Sequence, residues 1–264
     1  MTFQFALCAS AVLVGSAGLI RALEDWWNRA AFADHGIMSA AIVGLQWAGP
    51  GGAPMRVAGS YALVRLCILL RVAAALGLAA APVLPTGAVA VLLAANACLL
   101  AFFLLRCGYG ADGADQMLII VSVGTALAAG PAGAVRGAGQ WLITGQLVLS
   151  FFIAGAAKLA GADWRSGRAL RGILTTDRYG TPALGRLVSR HGVATLALGW
   201  GVMLMEVSFP VTLLGIRELT LAFLVAGLVF HFGVAAAMGL NNFFLTFAAA
   251  YPVAAYTLVM PPPR

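Results

Sequence analysis

Charged residues are scarce. They occupy 9% of the 264 positions, where a soluble globular chain carries about a quarter. With 62% of residues hydrophobic and a mean hydropathy of +0.95, no core-and-shell arrangement covers the surface with water-soluble groups. That excludes a soluble domain and makes lipid the solvent for most of the chain. Lysine is scarcer still: Lys158 stands alone against fifteen arginines. The four cysteines, Cys8, Cys67, Cys98 and Cys107, lie in or beside apolar runs with no CxxC or metal-like spacing, so buried thiols are expected and no metal. The short alternating segments of a membrane barrel are missing as well. What is present is a series of apolar runs of about 18–22 residues, rich in Ala, Leu and Val, which is the length of a membrane-crossing helix. In lipid the backbone must satisfy itself, so these runs predict helices. The expected fold is all-α: a polytopic membrane bundle of about eight spans, forming one transmembrane domain over 1–264 with no nucleic-acid partner.

The spans are drawn at Phe3–Ile20, Ser60–Ala80, Leu84–Leu105, Met117–Val135, Gln140–Leu159, Val193–Gly215, Glu218–Met238 and Phe243–Met260. The first lacks a basic leader, so it is read as a membrane helix and not as a cleaved signal. The fourth is the weakest, because Gly130-Pro131 breaks it near its end. Between the spans, Glu24–Arg29 sets paired tryptophans beside charges, as at a membrane interface. His35–Ala48 is apolar but too short to cross, which predicts an interfacial or re-entrant piece. The segment 161–192 carries Arg165, Arg168, Arg171, Arg178, Arg186 and Arg190. It is expected outside the bilayer as a short amphipathic helix plus loop, with Arg165, Arg168 and Arg171 along one side. Alternating eight spans puts ten arginines on one side and Arg136, Arg217 and Arg264 on the other. The positive-inside rule then makes the ten-arginine side cytoplasmic and leaves both termini outside.

Lys158 ends the apolar run LVLSFFIAGAAKLAG. Guanidinium is effectively always protonated, whereas a desolvated ammonium can lose its proton and act as a base. The ordinary alternative is an interfacial lysine snorkelling to the headgroups. Arg65 and Arg71 fall within a span, where a charge costs at least ~2.5 kcal/mol unless it is paired or near an end. Asp112, Asp115 and Glu206 are their candidate partners, for structural pairing or for substrate binding. His231 is near mid-span, as a packing histidine or as a site residue. Trp164 reads as an interface anchor and Asn241-Asn242 as a polar break between helices. His35 and His191 lie in polar segments and are assigned only surface roles.

Phe151-Phe152-Ile153-Ala154-Gly155-Ala156-Ala157-Lys158-Leu159, followed by Ala162-Asp163-Trp164 and Gly167, resembles the signature of the vitamin K-dependent gamma-glutamyl carboxylase family. Its bacterial relatives, the horizontally transferred transmembrane (HTTM) domain proteins, share the pattern. A looser match, Phe230-His231, then Met238–Phe243 and Ala250-Tyr251-Pro252, is similar to that family's histidine-bearing penultimate span. The two cover about a third of the chain. The resemblance implies that Lys158 is the base that deprotonates a reduced quinone, menaquinol or vitamin K hydroquinone. His231 would be a second catalytic residue, and Arg65, Arg71, Asp115, Trp164 and Asn241 candidates for substrate or cofactor binding. It also implies an active site facing away from the cytosol, opposite to the arginine count. Two departures matter. The family's large peptide-holding soluble domain has no counterpart in these 264 residues, and the animal enzymes' histidine before the fourth span has none in Gly108–Gln116. Glutamate carboxylation therefore does not carry over with the fold.

Two readings follow. In one, an enzyme of a bacterial inner (plasma) membrane couples quinol oxidation to modification of a second substrate, with oxygen consumed. In the other, a non-enzymatic quinone-binding or peptide-maturation subunit acts with a small peptide or soluble partner. Membrane proteins of the DoxX type, with a similar glycine–lysine pattern, resemble the second. A transporter is the weaker third, since no inverted repeat is visible.

Overall fold

The structure is a computed structural model that describes residues 1–45, 59–107 and 112–259. Arg56, Met260, Arg264, residues 108–111 of the expected polar loop and residues 46–48 of the His35–Ala48 segment lie outside the described residues. The chain is helical and, among the described residues, contains no strand. It divides into two compact units, 1–142 and 143–264.

The first unit holds α1 (Phe3–Trp27), a short α2 (Ala40–Gly44), α3 (Tyr61–Ala79), α4 (Thr86–Cys107) and α5 (Gly113–Ala128). Thr2 and Ser60 cap α1 and α3, their hydroxyls accepting from the Phe5 and Leu63 amides, which satisfies amides a helix start leaves open. α1 packs on α3 and α5, and α4 packs on both α3 and α5. α6 (Ala134–Ala160) runs across the boundary between the units. The second unit continues with α7 (Ala162–Arg165), α8 (Arg168–Leu174), α9 (Pro182–Arg190), α10 (Gly192–Ser208), α11 (Arg217–Met238) and α12 (Asn241–Val259). A 3-10 stretch, Phe209–Leu214, extends α10, and α11 packs against α12 across a two-residue link.

Seven of these helices are long and apolar enough to cross a membrane, so the chain is a multi-pass helical membrane protein. The fourth expected span is the exception. α5 has 16 residues, about 24 Å at 1.5 Å per residue, and ends at Ala128 just before Gly130-Pro131. It starts earlier than expected because Asp112 and Asp115 form a reciprocal capping box, which fixes the helix start at Gly113. The loop alternation that puts both termini outside requires α5 to cross.

The segment 161–192 also differs from expectation. It forms three short helices, and Gly167 interrupts the arginine stripe. Its φ of +75° belongs to the left-handed region where glycine alone is unstrained. Arg165 thus ends α7, while Arg168 and Arg171 belong to α8. Arg165 turns back instead and donates from Nη1 to the Leu159 and Ala160 carbonyls at 2.5 and 2.8 Å, satisfying the open C-terminus of α6.

Candidate functional site

Lys158 lies in the last turn of α6, three residues after Gly155. At Gly155 the helix comes so close to α10 that a Cβ there would sit 2.8 Å from Glu206 Cβ. That approach places the next turn of α6 against the Glu206 carboxylate. Lys158 Nζ contacts both Glu206 oxygens at 2.6 Å, with side-chain exposures of 19% for the lysine and 2% for the glutamate. The Trp164 ring centroid is 5.3 Å from Nζ. Glu206 was expected as a partner of the arginines in α3; it is the partner of the lysine.

The depth of the pair follows from a ladder of contacts along α10. Glu206 meets Lys158. The Trp200 indole donates to the Arg165 carbonyl at 3.2 Å, Leu196 packs 3.5 Å from a Cβ position at Gly167, and Gly192 faces Arg171. Residues 158–171 therefore run back along α10. The exposed Asp163–Arg168 ion pair, 2.6 Å, needs water or headgroups beside it. Trp164 and Trp200 then mark the interface level, as indoles do in membrane proteins. Glu206 lies six residues beyond Trp200, about 9 Å deeper along the helix.

His231 of α11 is 3% exposed and wrapped in rings. Phe247 stacks on it at 4.1 Å, and Phe151, Phe230 and Phe243 stand at 5.1–5.3 Å. Phe151 lies two turns before Lys158 on α6. Among the described residues neither His231 ring nitrogen has a hydrogen-bond partner, and neither has the Tyr251 hydroxyl, which rests against Gly227 one turn away on α11. Most buried polar groups in proteins are paired, so two unpaired groups sharing the Phe151 neighbourhood make an unusual wall. Lys158 itself is partly exposed.

The remaining candidates fall elsewhere. Arg71, 1% exposed, donates from Nη1 to Asp25 at 2.6 Å, with its guanidinium 4.9 Å from the Phe103 ring. Asp115 accepts from Arg21 Nε at 2.9 Å. Arg65 is exposed and lies over the Trp26 and Tyr61 rings. These three belong to the first unit. Asn241 is an exposed residue opening α12, its amide donating to the Gly239 carbonyl. The structure thus brings Lys158, Trp164 and His231 into one unit and adds Glu206, which sequence reasoning assigned elsewhere. The signal available was that Glu206 is the only acidic residue in its span, as Lys158 is the only base in its own apolar run.

The pairs can be ranked by chemistry. A carboxylate offering two oxygens is matched best by the planar fork of arginine. The first unit uses arginine against Asp25 and Asp115. In the pair built on lysine a single Nζ meets both carboxylate oxygens. Ion pairing alone favours the other residue. Comparison of the chain with protein-family models, curated proteins and solved structures finds no match.

Proposed function

We propose that the second unit is a membrane-embedded enzyme site in which Lys158, backed by Glu206, accepts a proton from a reduced quinone drawn from the bilayer. The observation that carries this reading is the choice of lysine where arginine pairs better: what lysine adds is a proton that can leave. In the resting ion pair Nζ has no free lone pair, so it accepts a proton from the quinol as it passes one of its own to the Glu206 carboxylate, leaving quinolate, an ammonium and a carboxylic acid.

The residues present fit a quinol. Lys158 is exposed enough to meet a hydroxyl, the Trp164 indole offers an apolar face beside it, and the orphaned nitrogens of His231 offer a second polar contact. Trp164 and His231 would hold the ring, and Lys158 its acidic hydroxyl. A reduced quinone supplies weakly acidic hydroxyls and two electrons. The depth of the pair, about 9 Å inside the tryptophan level, suits a headgroup ring anchored by a lipid tail. Consumption of oxygen and coupling to a second substrate follow from the resemblance to the carboxylase family, and placement in a bacterial plasma membrane goes with them.

The test is menaquinol loss under air by the purified chain in detergent. The expected result is oxygen-dependent loss with the wild type and none above background with Lys158→Ala. Equal rates for the two proteins would reject the reading.

A further inference from the structure

The arginines of 161–192 are more numerous than the fold requires. Six face two aspartates, Asp163 and Asp177. Arg168 is taken by Asp163 and Arg165 by the end of α6. Among the described residues none of Arg171, Arg178, Arg186 and Arg190 is ion-paired. Four exposed cations with a single unpaired carboxylate, Asp177, among them repel one another unless something anionic covers them.

Their placement says what that is. α9 is tied to the first turn of α10, where the Thr195 hydroxyl donates to the Val188 carbonyl at 3.2 Å. Thr195 precedes Trp200 by five residues, about 7–8 Å along α10 and away from the bilayer centre. With the exposed Asp163–Arg168 pair at the same end, this puts α9 toward the headgroups. α9 is also two-faced: Val188 is buried, while Leu187, 55% exposed, stands between Arg186 and Arg190. Val193 follows at 84% exposure. Apolar residues left bare among arginines, toward the headgroups, match a helix that lies in the interface with its cations on phosphates. Beside α9 an open cavity of about 300 Å³, lined by Arg186, Ser189, Thr175, Thr176, Thr181 and Asp177, gives room for one headgroup with hydroxyls.

We propose that α9 and the loop before it bind the anionic headgroups of the surrounding bilayer through Arg178, Arg186 and Arg190, with Leu187 and Val193 as apolar anchors. This does not depend on the chemistry at Lys158.

The experiment titrates the full chain, in uncharged detergent, with phosphatidylglycerol or phosphatidylcholine and counts retained lipid by native mass spectrometry. The wild type is expected to retain phosphatidylglycerol preferentially. That preference should fall about fivefold for each of the three arginines replaced in R178Q, R186Q and R190Q, and vanish in the triple variant. If the triple variant does not fold, the wild type in about 0.5 M salt decides, since screening removes a surface headgroup preference. Equal retention of both lipids by the wild type would overturn the proposal. So would a triple variant that keeps the preference, which would leave the arginines to an acidic protein partner.

Discussion

Lys158→Arg is expected to fold and to be inactive. Arginine keeps the positive charge, reaches Glu206 and completes a two-oxygen contact for which its fork is the better match, so stability should hold or rise slightly. Proton acceptance is lost, because guanidinium does not release its proton. A positioned general base contributes about 10²–10⁴ in rate, and a loss of that size in quinol oxidation is expected. Thermal unfolding measured on the same sample separates the two effects. An arginine variant with full activity would make Lys158 a snorkelling or structural cation and would take the proposed catalysis with it.

The second large effect is on stability, and it is asymmetric. Lys158→Leu leaves the Glu206 carboxylate, 2% exposed, with no partner, and breaking a buried pair this way costs about 3–5 kcal/mol. Glu206→Leu leaves an ammonium on a flexible stem in the last turn of α6, which can snorkel toward the interface, so the cost is smaller, about 1–3 kcal/mol. The double variant with leucine at both positions replaces the pair by apolar contact and should recover most of the loss, as buried pairs often allow. It should remain inactive. Unfolding of the four proteins in one detergent checks this. Additive costs in the double variant would mean that the two side chains are not coupled.

Much of the architecture was legible because hydropathy in lipid is nearly a structural rule: seven of the eight expected spans are long apolar helices. α5 departed because a capping box at Asp112 pulled its start forward while Gly130-Pro131 held its end, a local effect that a span-length window averages away. The Arg165–Arg171 spacing pointed to one helical stripe, and a single left-handed glycine at 167 divided it. Lys158 stood out by its uniqueness alone. Its partner did not, because Glu206 is 48 residues away and the two meet only through the close approach at Gly155, which no periodicity reveals. Asp25 was similarly hidden. Beside Trp26 and Trp27 it reads as an interface residue, yet it neutralises Arg71 within the first unit. Buried charges in lipid must find partners; sequence says that they will, and packing decides which.

The most direct test of Lys158 as the proton acceptor is chemical rescue of Lys158→Ala. Truncation removes the amine and leaves space beside Glu206 for a small replacement. With menaquinol and oxygen supplied, added methylamine or ethylamine should restore quinol oxidation in the alanine variant, with rates that rise with amine basicity. The same amines should do nothing for Lys158→Arg, whose guanidinium fills the space. Failure of every small amine to restore activity in a folded alanine variant, or equal stimulation of both variants, would contradict the role assigned to Lys158.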